Sequence, residues 1–121
     1  MSNKKTLVLG ASANPARYSF LALKMLREKG HEVVAVGKRI AKVDDVEISV
    51  EKQLVDDLDT VTLYLNANNQ KLYYDYIFSL NPKRIIFNPG AENEELASLA
   101  KEKGIVPQEA CTLVLLSTGQ Y

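Results

Sequence analysis

The chain has 121 residues, 46% of them hydrophobic and 25% charged, enough for one domain with its own core. Its 15 basic and 15 acidic side chains cancel, which excludes a general attraction to nucleic acid or to a membrane surface; any bound phosphate has to be met by a local arrangement. The lone cysteine, Cys111, excludes an intrachain disulfide, no apolar run is long enough to cross a bilayer, and the segment from Met1 to Lys5 leads into too short an apolar stretch for a signal peptide. The expectation is a single domain over residues 1–121, soluble and cytoplasmic.

Thr6 to Gly10 is a short aliphatic run ending at a glycine, the pattern of a strand buried on both faces. A loop of small residues broken by Pro15 follows, and from Arg17 to Lys29 the spacing of Phe20, Leu23 and Leu26 predicts an amphipathic helix closed by Gly30. Glu32 to Gly37 is a second buried strand, so the first 37 residues form a βαβ unit with a right-handed crossover. Residues 38–59 are charged and only weakly patterned through Val46, Ile48 and Val50, and read as a loop with one short extended piece and one helical turn. Val61 to Leu65 is a third strand. A helix then runs from the Asn66 loop to Leu80, with Leu72, Tyr76 and Leu80 on its core face, and Asn81-Pro82 stops it.

Arg84 to Phe87 is a fourth strand, followed by a sharp turn at Asn88-Pro89-Gly90. Glu94 to Lys103 carries every helix signal: Asn93 as N-cap, acids in the first turn, lysines in the last, then Gly104. Ile105-Val106 opens a fifth strand and Thr112 to Ser117 a closing helix. Alternating strands and helices define an α/β domain: a Rossmann-like, doubly wound, mostly parallel five-stranded sheet flanked by helices.

Such sheets bind ligands beyond the C-terminal strand ends, at the switch point of the strand order. Three short loops rich in Gly, Ala, Asn or Pro belong there: Gly10 to Arg17, Asn66 to Asn69 and Asn88 to Glu92, the last holding Gly90. The first opens a helix whose amides and dipole favour an anion, with Ser12 and Ser19 as hydroxyl donors and Arg17 as a two-pronged donor to phosphate. An NAD site calls for a G-x-G-x-x-G loop and an acid after the second strand. Here the loop has only Gly10, and Lys38 and Arg39 stand where the acid belongs. Cations there suit a ribose phosphate, as in coenzyme A or NADP.

The stretches Gly10-Ala-Ser-Ala-Asn-Pro-Ala-Arg17-Tyr-Ser19 and Leu26-Arg-Glu-Lys-Gly30-His-Glu-Val-Val-Ala-Val36 resemble the opening of the CoA-binding domain family, related to the nucleotide-binding domain of the succinyl-CoA synthetase α subunit. Asn93-Glu-Glu95, Ala100 to Ile105 and Cys111 are similar to its second half. The resemblance implies that Gly10, Ala11, Ser12, Asn14, Pro15 and Arg17 hold a pyrophosphate, that Lys38 lies near the adenosine end, and that the Asn66 and Asn88 loops border the pantetheine arm. The chain departs from the family pattern at Gly37-Lys38, where Asn-Pro is common, and at Phe87 to Ala91, where Trp-x-Gln-x-Gly is common.

Other residues read as structural. Cys111 suits a small core position, His31 lies at the sheet edge away from the loops, and Asp44-Asp45, Asp56-Asp57 and Asp59 read as solvated acids rather than metal ligands. Tyr64, Tyr73, Tyr74 and Tyr76 read as packing residues. Three functions stay open. The first is a free-standing, non-catalytic module for CoA or acyl-CoA, with a protein partner unspecified. The second is a small NADP-dependent oxidoreductase, for which the chain lacks a substrate region and a general acid in the expected cleft. The third is a scaffold that binds no ligand.

Overall fold

The computed structural model describes residues 3–121; the Met1-Ser2 end of the N-terminal segment lies outside the described residues. The elements are β1 (Thr6–Ala11), α1 (Tyr18–Glu28), β2 (Val33–Gly37), β3 (Ala41–Val43), β4 (Val46–Ser49), β5 (Thr60–Leu63), α2 (Ala67–Gln70), α3 (Tyr74–Leu80), β6 (Arg84–Phe87), α4 (Glu94–Glu102), β7 (Val106–Glu109) and α5 (Thr112–Ser117), with a 3-10 turn at Lys71–Tyr73.

The strands form one sheet in the order β3-β4-β2-β1-β5-β6-β7. Every neighbouring pair is parallel except β3 and β4, which form an antiparallel hairpin. The sheet therefore has seven strands among the described residues, not the expected five. The two additional strands fill residues 41–49, inside the stretch read mainly as a loop; β4 answers to its one short extended piece, and β3 was not expected. Alternation there is short, with Val43, Val46 and Ile48 buried and Lys42 and Glu47 exposed. The two-residue turn Asp44-Asp45, with Asp44 at φ 53°, closes the hairpin.

Two cores lie on opposite faces, as the doubly wound arrangement requires. Leu23 and Leu26 of α1 and Leu115 and Leu116 of α5 pack with Val8, Ala35 and Ile86 on one face. Ile77 and Leu80 of α3 and Leu96 and Ala100 of α4 pack with Leu7, Leu9, Val61 and Ile85 on the other. Strands covered on both faces favour continuous apolar runs, which β1 and β6 have in Leu7-Val8-Leu9 and Ile85-Ile86-Phe87, while β5 buries Thr60 and Thr62 beside Val61 and Leu63.

The expected helix from Asn66 to Leu80 is two helices joined by the 3-10 turn. Asn66 does cap its start, Oδ1 accepting from the Asn69 N–H at 2.9 Å. The 3-10 turn then shifts the phase, so Leu72, expected on the core face, is 74% exposed, while Tyr76 and Leu80 are buried. The best-signed helix forms as read: the Asn93 side chain accepts from the Leu96 N–H, Glu94 and Glu95 occupy the first turn, and Lys101 the last.

Candidate functional site

The strand order reverses between β1 and β5, which brings the loops after these strands side by side at the C-terminal edge of the sheet. Two glycines make this close approach possible. Gly10, at φ +86°, is a bulge in β1, and a Cβ on it would lie 2.7 Å from the Tyr64 carbonyl oxygen. A Cβ on Gly37, at the end of β2, would lie 2.2 Å from the Ala11 carbonyl oxygen.

A cleft of about 960 Å³ opens over this edge, large for a small-molecule site. Of the residues singled out in the sequence, Gly10, Ala11, Ser12, Asn14, Arg17, Ser19, Lys38, Arg39, Asn66 and Gly90 line it. Pro15 and Asn88 do not. Asn88 is 3% exposed and its side chain turns into the sheet. Its Nδ2 donates to Thr62 Oγ1 at 2.7 Å and to the Leu63 carbonyl at 2.8 Å, and its Oδ1 accepts from the Thr112 N–H at 2.9 Å. It ties β5, the loop after β6 and the start of α5 together from beneath the cleft. Asn69, Pro89 and Ala91 line the cleft from the loops expected there, and sequence reasoning missed Tyr18, Ile40, Ala41, Tyr64 and Leu65. Most are immediate neighbours of residues it found, and Ile40 and Ala41 enter through the unexpected β3.

The loop after β1 holds its own shape. Ser12 Oγ accepts from the Asn14 N–H, Asn14 Oδ1 from the Ala16 N–H, and the Asn14 carbonyl from the Arg17 N–H, each at 3.0 Å. Arg17 stands at the N-cap of α1 in extended conformation, and no side chain among the described residues caps that turn or brings an acid to it. An open helix start facing a cleft, with an arginine beside it, is the donor set an anionic phosphate requires.

Charge divides the cleft. Arg17 comes from the loop after β1, and Lys38 and Arg39 follow β2. Across the switch point the lining is uncharged: Tyr64, Leu65, Asn66 and Asn69 from the β5 side, and Pro89, Gly90 and Ala91 from the β6 side. The arrangement suits a ligand anionic at one end and neutral along the other. The Tyr64 hydroxyl is buried beneath the floor with no hydrogen-bond partner among the described residues. Burial pushes its pKa well above the ordinary tyrosine value, and the nearby Thr112 and Thr62 hydroxyls offset this only in part.

Elsewhere, Asp44 and Asp45 meet cations: Lys24 Nζ lies 3.1 Å from Asp44 Oδ2 and Arg27 Nη2 2.8 Å from Asp45 Oδ2. Asp59 Oδ1 accepts from the Thr60 hydroxyl. Cys111 is half-buried at the head of α5. His31 is buried at the opposite sheet edge, its Nδ1 accepting from the Lys4 N–H at 2.9 Å and its ring 4.9 Å from that of Tyr121.

The fold and the cleft define a doubly wound α/β domain whose switch-point cleft is cationic on one side. Residues 4–117 match the CoA binding domain family, and the chain belongs to that family. It is also similar over its whole length to an uncharacterized protein of known crystal structure, at 48% identity with all of both chains covered and a TM-score of 0.96. A conserved hypothetical protein from Pyrococcus furiosus aligns at 25% identity over 92% of this chain and 97% of its own, with a TM-score of 0.79. A hypothetical protein from Pyrococcus horikoshii OT3, at 22% identity over 96% of this chain and 83% of its own with a TM-score of 0.86, shares the fold. No curated protein matches the chain. Among the described residues no helix is long and apolar enough to cross a membrane.

Proposed function

We propose that the protein is a free-standing, cytoplasmic CoA-binding module that holds coenzyme A or an acyl-CoA in this cleft without turning it over. The observation that carries the reading is the division of the cleft into a cationic half at an open helix start and an uncharged half across the switch point. The open start of α1, with Arg17 and Ser12, would take the pyrophosphate; Lys38 and Arg39 would take the phosphate on the ribose. The walls after β5 and β6 would follow the pantetheine arm, whose amides and thiol carry no charge. Bound CoA would bring the one thiol on which an acyl group could be carried. The titratable residues lining the cleft are Arg17, Lys38, Arg39, Tyr18 and Tyr64. Burial raises the Tyr64 pKa and so keeps its proton in place, which favours holding a ligand over acid–base chemistry at that group.

A thermal-shift panel with CoA, acetyl-CoA, NADP, NAD and ATP tests this. Ligand at about 100 times its Kd adds roughly 2.7 kcal/mol, several degrees for a domain of this size. A shift with CoA or acetyl-CoA and none with NADP is expected. A shift with NADP alone would replace the reading with an NADP-dependent oxidoreductase, and no shift with any of the five would leave a scaffold.

A further inference from the structure

The uncharged half of the cleft is made by two loops that never pair as strands, the one after β5 and the one after β6. Beyond the Asn88 tie at their base, one buried side chain bridges them. Gln70, at the end of α2, is 0% exposed. Its Nε2 donates to the Leu65 carbonyl at 2.8 Å and to the Ala91 carbonyl at 2.7 Å, and both Leu65 and Ala91 line the cleft. Its Oε1 accepts from Asn93 Nδ2 at 2.9 Å, so both ends of the amide are engaged and it cannot flip without losing all three bonds. Asn93 is fixed in turn. Its Oδ1 caps α4 at the Leu96 N–H, and its Nδ2 also donates to the Tyr74 hydroxyl, which donates to Glu95 Oε1.

From this geometry we infer that Gln70 is a positioning residue for the uncharged arm of the ligand: by bridging Leu65 and Ala91 it sets the width of the slot between the two loops. It does not line the cleft and it carries no charge, so it acts through the two carbonyl groups it holds. The phosphate-facing half of the cleft rests on α1 and the end of β2, which Gln70 does not touch. Its removal therefore acts selectively. The grip on the pantetheine arm weakens, while the grip on the nucleotide end stays. This inference rests on the CoA-binding reading.

Gln70→Glu is nearly isosteric and, ionised, donates to neither carbonyl. Binding of CoA and of adenosine bisphosphate, the nucleotide end without its arm, is measured by calorimetry on the full chain. The wild type tests the CoA reading itself; if it binds neither ligand, that reading falls and takes the inference with it. If the wild type binds both, the variant is expected to lose about tenfold or more in CoA affinity and to keep its adenosine bisphosphate affinity within about twofold. Lowering the pH toward 5 should recover part of the loss, because a protonated carboxyl regains one donor.

Equal losses for the two ligands, or none for either, would overturn the inference and leave the CoA reading standing. Asn93→Asp keeps the cap on α4 and removes the Nδ2 donor shared by Gln70 and the Tyr74 hydroxyl, so it remains informative if Gln70→Glu does not fold. A smaller loss of the same selectivity, about threefold, is expected for it, and an unchanged or unselective profile would overturn the inference.

Discussion

Arg27 and Asp45 form a two-pronged ion pair, the guanidinium Nη2 donating to Oδ2 at 2.8 Å and Nε to Oδ1 at 3.0 Å. One turn earlier on α1, the single Nζ of Lys24 donates to both carboxylate oxygens of Asp44 at 3.1 Å. Together the two pairs fasten the tip of the β3–β4 hairpin to the helix whose first turn borders the cleft.

The pair makes a salt-dependent prediction. Its hydrogen bond from Arg27 holds the Asp45 carboxyl below the ordinary carboxylate value, so its contribution is complete above about pH 3.8 and disappears as the pH falls through the lower folded-state value. Both partners are solvent-exposed, so the effect is small. Asp45→Asn should lower Tm by no more than a few degrees in dilute buffer, and the difference should vanish in about 1 M salt, as calorimetry at the two ionic strengths would reveal.

His31 sets a second pH dependence. Burial first, and the Lys4 charge second, lower its pKa below 6.5, and its Nδ1 lone pair is already engaged by the Lys4 N–H. Tyr121, Arg84 and Asp59 are the other charged or titratable groups around it. The folded protein thus resists protonation more than the unfolded chain. Its stability contribution is complete above about pH 6.5 and is lost as the pH falls through the folded value. Tm should drop by a few degrees between pH 7 and pH 5, and His31→Asn, which offers a non-titrating acceptor, should flatten that slope.

Among the described residues the Tyr64 hydroxyl has no hydrogen-bond partner to lose. Tyr64→Phe should therefore be neutral or stabilising by up to about 1 kcal/mol in urea denaturation. A loss greater than that would mean the hydroxyl finds a partner in solution.

Arg17 and Lys38 line the cationic half of the cleft. Replacing each with Ala should weaken CoA binding about ten- to hundredfold, with the salt dependence of binding reduced in the same variants. Unchanged affinity in the double variant would remove both from the phosphate site.

Much of this molecule is legible along its chain because local signals and tertiary demands agree. The first βαβ unit, the Asn93-capped helix and the apolar runs of β1 and β6 are read directly, since strands covered on both faces cannot hide their composition. Of the β3–β4 hairpin only a short extended piece at Val46 to Val50 was read, because its strands are three and four residues long and Lys42 and Glu47 break their pattern by facing water. The signal that could have found it is Asp44-Asp45 between Val43 and Val46, a turn pair flanked by buried valines. Leu72 misled for a related reason: a 3-10 turn changes helical phase without a Pro or Gly to mark it. At the cleft, loop composition identified Arg17, Lys38 and Asn66, but composition does not say which way a side chain points. Asn88 sits in the right loop and faces the wrong way, inward, because two strand groups and a helix amide there need partners. Gln70 was passed over because a glutamine inside a helix ordinarily belongs to the solvated face.

The missing side chain at Gly37 limits what this lineage can become. A Cβ there would stand 2.2 Å from backbone, not from a side chain that could swing aside. If position 37 is randomised and survivors are selected for soluble expression, glycine should dominate the recovered pool, whereas the neighbouring Lys38, exposed at the cleft, should accept many residues at the cost of binding alone. A homologue with a bulkier residue at the end of β2 must therefore hold its first two strands farther apart, and would present a differently shaped mouth to its ligand.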